Sequence, residues 1–323
     1  MKLHQKFGLI LSTISLLSFM SYANAETKVI ASIKPLHSLV SYVMDGVGTP
    51  GILVDGSSSP HTFQLKPSHA TMLQEADIVF WIGEDLESFL ETPLESIAAN
   101  SRHITLMESD EIELLKFREK NIFGGHDDHD DHGDEHDEHA DEHGDEHDDH
   151  HDGHAHGEHD IHFWLDPEIA KTIVKIVTRE LSEIDPSNAS TYESNSTKAI
   201  NEIDQLISDT KSKINSDASY VVFHDAYQYF EKRFGVEVVG ALTVNPEVLP
   251  GAKQLSEIRE VIEHENINCL FSEPQFNPSI AETIAQDTDV KAAVIDPLGA
   301  ELNPGKDLYF DLIGNIASSF ESC

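Results

Sequence analysis

Short apolar runs typical of β-strands alternate with longer amphipathic stretches typical of helices over the first third of this 323-residue chain. The strand-like runs cover residues 29–33, 51–54, 77–82 and 103–106. The helix-like stretches between them cover residues 35–45, 67–76 and 85–98. Strands separated by helices of this length predict βαβ units and a mostly parallel sheet.

The last third of the chain repeats this alternation. Its strand-like runs cover residues 219–223, 236–241, 268–272 and 291–295. Its helix-like stretches cover residues 225–234, 254–266, 278–287 and 306–319. The pattern therefore predicts a second α/β unit, again with a mostly parallel sheet.

Two further helical stretches, 167–184 and 186–214, lie between the two units. The second begins with Asp185-Pro-Ser, a helix-start signal, and contains no glycine. At about 1.5 Å per residue it would extend ~42 Å, longer than a helix inside one small domain requires. We interpret it as a rigid connector; the alternative is a long surface helix of a single domain. The expected division is an N-terminal α/β lobe over 26–184, a linking helix over 185–215 and a C-terminal α/β lobe over 216–323.

The first 25 residues have the features of a secretory signal peptide. Lys2 and Lys6 supply positive charge, and residues 7–20 form an apolar stretch too short to span a membrane as a stable helix. Ala23 and Ala25 are small residues at the two positions that determine cleavage. We expect cleavage after Ala25 and export to a bacterial periplasm without direct membrane insertion; an uncleaved anchor is the alternative.

The segment 124–160 has a composition unlike the rest of the chain. Twelve histidines lie between His126 and His159, with Asp and Glu in most of the gaps and no Lys or Arg. Neutral imidazole and carboxylate groups bind borderline divalent cations, chiefly zinc. Because the segment has too few apolar residues to bury itself, we expect a disordered loop that binds several metal ions loosely.

Charge and cysteine content limit the possible partners and the compartment. The formal net charge is −38, and such an acidic surface repels nucleic acid and anionic lipid while it concentrates cations. The chain has two cysteines, Cys269 and Cys323. In an exported protein an even pair predicts one disulfide, which here would tie the C-terminus to the interior of the second lobe.

Four polar residues lie where predicted strands end or loops begin, and they are His61, His162, His224 and Asp296. Ligands of open α/β sheets bind at the carboxyl ends of the strands, so these side chains are expected to converge between the lobes. Three imidazoles and one oxygen suit a tetrahedral zinc site, with Zn–N distances of about 2.0–2.1 Å. Taken singly, each histidine could instead be structural, and Asp296 could cap a turn.

Several motifs occur in a fixed order along the chain: Ser-Pro-His-Thr around His61, His-Phe-Trp-Leu-Asp-Pro-Glu from His162, Phe-His-Asp-Ala-Tyr around His224, Ser-Glu-Pro-Gln-Phe from Ser272 and Ile-Asp-Pro-Leu-Gly from Ile295. With these motifs and its acidic histidine loop, the chain resembles the zinc-uptake solute-binding proteins of bacterial ABC transporters, the ZnuA-like branch of the metal-binding cluster.

The resemblance implies two α/β lobes joined by one long backbone helix, with the metal held in the inter-lobe cleft by His61, His162 and His224. It also implies a monomer that captures Zn²⁺ and delivers it to an ABC-type permease with its cytoplasmic ATPase. Similar proteins that carry manganese or iron usually have glutamate where this chain has His224, and a third nitrogen favours zinc. Some zinc relatives have an acidic residue before the first histidine. This chain has Pro60 there, which leaves the fourth ligand open between Asp296 and water.

Two other functions are compatible with a histidine metal site. A secreted zinc-dependent hydrolase would use three histidines and an open fourth position. The chain contains no His-Glu-x-x-His, Gly-x-Ser-x-Gly or glycine-rich phosphate motif to support it. A stand-alone periplasmic zinc buffer would need only the loop, which leaves the two-lobed body without a role. We therefore predict a binding protein and not an enzyme.

Overall fold

The computed structural model describes residues 26–118, 157–214, 218–243, 246 and 250–323. Its first sheet is parallel, with the strand order β2-β1-β3-β4. The strands are β1 (Val29–Ile33), β2 (Gly51–Val54), β3 (Ile78–Trp81) and β4 (Arg102–Thr105). The helices that connect them are α1 (Lys34–Val43), α2 (Pro67–Glu75) and α3 (Glu91–Ser96). Strands β1 and β3 are buried along their whole length, as central strands of a parallel sheet are.

Two long helices follow, α4 (Pro167–Ile184) and α5 (Ala189–Lys213). Helix α4 begins with a proline in its first turn, and the side chain of Asp166 caps it by accepting a hydrogen bond from the Glu168 N–H at 2.8 Å. Helix α5 packs against both α1 and α4. Its buried residues include Tyr192, Ala199 and Ile203, which recur at helical spacing and so form one apolar face.

The second sheet is also parallel and has the order β6-β5-β7-β8. Its strands are β5 (Ser219–His224), β6 (Glu237–Thr243), β7 (Cys269–Ser272) and β8 (Lys291–Val294). Its helices are α6 (Gln228–Phe234), α7 (Ala252–His264), α8 (Ser279–Asp287) and α9 (Leu308–Glu321). The structure thus confirms the predicted α/β class with two mostly parallel sheets. We refer to the part from β1 to α4 as the N-lobe and to the part from β5 to α9 as the C-lobe.

Helix α5 packs against α9 as well as α1 and α4, so it contacts helices of both lobes. Direct hydrogen bonds also join the lobes. Lys34, at the carboxyl end of β1, is buried and donates to the carbonyl oxygens of Ala300 at 2.9 Å and Leu302 at 2.7 Å. The indole N–H of Trp164 donates to the Pro297 carbonyl at 3.0 Å. The lobes are therefore tied together beside the carboxyl edges of their sheets.

The single helix predicted over 85–98 is broken in the structure. A turn and a 3₁₀ segment, Ser88–Leu90, precede the shorter helix α3. The reason is Glu87, whose fully buried carboxylate accepts hydrogen bonds from the N–H groups of Ile82 at 3.0 Å and Gly83 at 2.9 Å. This contact holds the chain against the end of β3, where a regular helix cannot yet form. The helix predicted over 225–234 likewise begins later, at Gln228.

Cys269 and Cys323 form the disulfide predicted from the cysteine content, with their Cα atoms 5.8 Å apart. The bond joins Cys269, buried at the start of β7, to a residue two positions after the end of α9. The Tyr220 hydroxyl donates to the Phe320 carbonyl at 3.0 Å and fastens the same helix to β5. The C-terminus is therefore held on the core of the C-lobe.

The predicted signal peptide, residues 1–25, and residues 124–156 of the histidine-rich loop lie outside the described residues. The segments that precede and follow the loop are joined by backbone hydrogen bonds. The Phe117 N–H donates to the Glu158 carbonyl at 3.0 Å, and the Asp160 N–H donates to the Leu115 carbonyl at 2.8 Å. In the part of the chain that the structure describes, no helix combines the length and apolarity needed to span a membrane.

Candidate metal centre

The three candidate histidines come from three separate segments. His61 lies in the 3₁₀ turn Pro60–Thr62 of the N-lobe, after β2. His162 directly precedes a second 3₁₀ turn, Phe163–Leu165, and follows the end of the histidine-rich loop. His224 is the last residue of β5 in the C-lobe. All three therefore lie where regular structure gives way to a loop, as the sequence pattern predicts.

The structure brings the three imidazoles together between the lobes. One ring nitrogen from each can be chosen so that all three lie within 4.8 Å of one another. The ring centroids are 4.8 Å apart for His162 and His224, 5.3 Å for His61 and His224, and 5.7 Å for His61 and His162. His162 and His224 are buried, and His61 is half-buried. This convergence is the arrangement that a single metal ion requires.

The surroundings of the rings are mostly apolar and leave little room. Leu86, Trp164, Phe276, Pro297 and Leu298 line the same cavity. Its volume is about 10 Å³, which is the space of roughly one water-sized particle. The space directly between the rings therefore suits a single ion.

Asp160 determines which nitrogen of His162 faces the cavity. Its Oδ1 atom lies 2.8 Å from Nδ1 of His162 and also accepts the backbone N–H of that residue at 3.0 Å. The other carboxylate oxygen accepts a hydrogen bond from the Gln228 side chain at 3.1 Å. Because Nδ1 carries the proton that Asp160 accepts, Nε2 has the free lone pair.

Burial lowers the pKa of His162 below its ordinary value of 6.5, and the hydrogen bond with Asp160 opposes this effect. The net shift favours the neutral ring. Since only a neutral imidazole has a lone pair for a metal, burial prepares His162 as a ligand.

A second buried carboxylate, that of Glu273, lies beside His224. Its Oε2 atom is 3.5 Å from Nδ1 of His224, and its Oε1 atom accepts the Tyr227 hydroxyl at 3.0 Å. Glu273 directly follows β7. The register of the parallel pair β5–β7, with Val222 opposite Phe271, continues to place Glu273 next to His224. Glu273 belongs to the Ser-Glu-Pro-Gln-Phe motif, but its place beside His224 could not be predicted, because the pairing of these strands is not visible in the sequence.

Asp296, the fourth candidate, follows β8 and is engaged by other groups. Its carboxylate accepts hydrogen bonds from the N–H groups of Leu298 at 3.0 Å and Ala300 at 2.5 Å, and from the Gln275 side chain at 2.8 Å. Among the described residues, the converging ligand atoms belong to the three histidines, and Asp296 is not one of the group. The strand order explains this, since β7 lies between β8 and β5.

Comparisons with known proteins show the family of the chain. The family described as "Zinc-uptake complex component A periplasmic", ZnuA, matches residues 29–323. The high-affinity zinc uptake system protein ZnuA of Brucella abortus is 42% identical to this chain over 311 residues, 94% of this chain and 93% of the relative. The protein of the same name from Yersinia pestis is 33% identical, with 93% of this chain and 92% of the relative covered.

The fold is shared with solved structures of lower sequence identity. A crystal structure of a ZnuA protein superposes with a TM-score of 0.73 at 22% identity, and the match covers 92% of this chain and 99% of that one. The two-lobed α/β architecture is therefore common to both.

Proposed function

Because this chain belongs to the ZnuA family of periplasmic zinc-uptake components, we propose that it captures Zn²⁺ between its lobes and delivers it to an ABC-type permease. The observation that carries this proposal is the convergence of His61, His162 and His224, whose ligand atoms lie within 4.8 Å of one another. Three neutral nitrogen donors suit zinc better than they suit manganese, calcium or magnesium.

The proposed ligand set is the three histidines plus water. Asp296 is the other candidate for the fourth position, but its carboxylate already accepts three hydrogen bonds from the C-lobe. A carboxylate would have to give up some of these contacts to coordinate the metal, and the free energy of doing so opposes it. Water has no such cost.

The protein is a binding protein and not an enzyme, as its membership in a family of uptake components implies. A stand-alone zinc buffer would make no use of the two lobes. We propose that the chain is exported, with cleavage after Ala25, and meets the permease and its ATPase from the periplasmic side.

The experiment that tests this function is zinc uptake by cells that lack the protein and have no second zinc importer. Wild-type protein supplied on a plasmid should restore growth and ⁶⁵Zn accumulation in chelated medium, and the His224→Ala variant should not. In zinc-replete medium the strain without the protein and the strain with wild-type protein should grow equally. Normal growth of the strain without the protein under strict chelation would contradict the proposal.

A further inference from the structure

Within the described part of the chain, the buried Nδ1 atom of His224 has no hydrogen-bond partner. Glu273 Oε2 lies 3.5 Å away, longer than the usual 2.7–3.2 Å of a formed hydrogen bond. Both side chains are almost completely buried, with His224 3% and Glu273 3% exposed. A buried nitrogen without a partner costs free energy, and so does a buried carboxylate without a cation. A small shift that brings the two atoms together would relieve both costs.

The other carboxylate oxygen of Glu273 is held in place. Oε1 accepts the Tyr227 hydroxyl at 3.0 Å, and Tyr227 is fully buried. Burial first, and then the charge of Glu273, raise the pKa of Tyr227 well above its ordinary value of 10, so this hydroxyl remains a hydrogen-bond donor. Tyr227 thus fixes the orientation of the carboxylate and leaves Oε2 directed at His224.

We propose that Glu273 is a positioning residue for the metal site, which accepts the Nδ1–H of His224 and so directs Nε2 of that ring towards the bound ion. This inference rests on the proposed zinc site. It gives His224 the same arrangement that Asp160 gives His162, a buried carboxylate behind the ring and the second nitrogen towards the cavity. Two buried carboxylates then balance the double positive charge of the ion, which keeps the closed site electrically neutral.

Glutamine at position 273 cannot reproduce this role, because its amide has one acceptor oxygen where the carboxylate has two. If the amide oxygen accepts the Tyr227 hydroxyl, its NH₂ group faces Nδ1 of His224 and favours the opposite tautomer, with the proton on Nε2. Removing the Tyr227 hydroxyl frees the amide oxygen to turn towards His224. Tyr227→Phe should therefore rescue part of the defect of Glu273→Gln.

The test measures the zinc affinity of the full mature protein, by competition with a chelator, together with the tautomer of His224. Glu273→Gln should weaken the tight site about 10–100-fold, as loss of a group that orients a metal ligand typically does. The Glu273→Gln/Tyr227→Phe double variant should bind zinc more tightly than Glu273→Gln. Glu231→Gln is the matched control, because it changes a half-buried carboxyl group of the C-lobe that contacts Arg118 instead of a candidate ligand, and its affinity should stay within about threefold of wild type.

Long-range ¹H–¹⁵N spectra of histidine-labelled protein report the tautomer, with the His224 signals identified by their loss in His224→Ala. Zinc on Nε2 and a proton on Nδ1 are expected in wild type, and a larger share of the Nε2–H tautomer is expected in metal-free Glu273→Gln. Zinc on Nδ1, or unchanged affinity and tautomer in Glu273→Gln, would overturn the inference. If Glu273→Gln does not fold, Glu273→Asp takes its place, because it withdraws the carboxylate by one methylene. Glu273→Asp should then weaken zinc binding, and an unchanged zinc affinity of this variant would also overturn the inference.

His224→Ala separates this inference from the proposed function. If His224→Ala loses tight binding while Glu273→Gln keeps it, the site stands and the role of Glu273 is wrong. If His224→Ala itself retains tight binding, the proposed site is wrong and the role of Glu273 falls with it.

Discussion

Asp160 holds His162 through two contacts to one oxygen atom: Oδ1 lies 2.8 Å from the ring Nδ1 and 3.0 Å from the backbone N–H of the same residue. The carboxylate therefore orients both the ring and the chain that carries it. Asp160 is also the point where the histidine-rich loop returns to the folded protein. Its backbone N–H bonds to Leu115 and its carbonyl accepts the Tyr229 hydroxyl of the C-lobe. The same residue thus links the loop, one candidate ligand and the opposite lobe.

Replacing Asp160 by Asn should lower zinc affinity about 10–100-fold, because the ring loses a charged hydrogen-bond acceptor. The new amide NH₂ would also face the Gln228 side chain, which donates to this position at 3.1 Å. Chelator competition measures the effect. Asp185→Asn, which alters a hydrogen-bonded carboxylate at the end of α4, is the control and should bind zinc like wild type. Equal affinities for the two variants would show that Asp160 does not orient the ligand.

The disulfide between Cys269 and Cys323 should stabilise the C-lobe without affecting the metal site. It closes a loop with a sequence separation of 54 residues. In the chain-entropy treatment, closing a loop of this length contributes about 4 kcal/mol. The Cys269→Ala/Cys323→Ala variant should therefore unfold at lower denaturant concentration and still bind one tight zinc. Two free thiols in denatured, unreduced wild-type protein would contradict the bond.

Glu87 should make the stability of the protein depend on pH. Burial is the main cause that raises the pKa of Glu87 from its ordinary 4.5 to about 7. Between these values the folded protein retains a proton that the unfolded chain releases, so the free energy of unfolding falls as pH rises through this window. Glu87→Gln, which cannot ionise, should gain stability relative to wild type as pH rises, by up to roughly 3 kcal/mol above pH 7.

Urea unfolding of metal-free protein at pH 5 and pH 8 measures this difference. The exposed Glu91→Gln is the control, and its stability relative to wild type should not change with pH. A Glu87→Gln advantage of the same size at both pH values would mean that Glu87 is ionised throughout.

The sequence was most informative where apolar runs alone decide the structure. All eight strand-like runs became strands, because a strand of a parallel sheet needs little more than a short apolar run between breaks. The prediction of a helix over 85–98 was wrong for the first part of that range. The pattern cannot show that the Glu87 side chain turns inward and accepts a hydrogen bond from the backbone N–H of Gly83, just after β3. A buried contact to the backbone here overrides helix propensity.

The candidate site was predictable to the extent that its residues lie at strand ends or in the loops beside them. His224 ends β5, whereas His61 and His162 lie at 3₁₀ turns in loops. All three could be selected because polar residues at such positions collect at one edge of a parallel sheet. Glu273 and Asp296 follow the same rule, and the sequence could not rank them. Their positions depend on strand order, which places β7 next to β5 and β8 one strand further away.

The histidine-rich loop should supply additional zinc sites that are weaker than the site between the lobes. A segment so poor in apolar residues must be ordered by each ion that it binds, and that entropy cost lowers affinity. Replacing residues 120–156 by a short glycine linker keeps the pairing of Phe117 with Glu158. This variant should lose the extra equivalents and keep one tight zinc.

Lowering the pH from about 7.5 to about 6 should remove the extra zinc first, because protons compete for histidines whose unperturbed pKa is about 6.5. A linker of the original length with serine in place of each histidine controls for loop length. Two results would contradict the assignment of weak sites to the loop and one tight site to the histidines between the lobes. One is loss of the tight site when the loop is deleted, and the other is retention of the additional zinc equivalents at pH 6.

The most direct test of the account is to locate the first zinc ion. Crystals of the mature protein with one equivalent of zinc should give a single strong anomalous peak at the zinc absorption edge, between the rings of His61, His162 and His224. One nitrogen of each ring should lie about 2.0–2.1 Å from the ion, with water in the fourth position. Asp296 should still accept its hydrogen bonds from Leu298 and Ala300. A first equivalent bound anywhere else, or a site that lacks any one of the three histidines, would contradict the account.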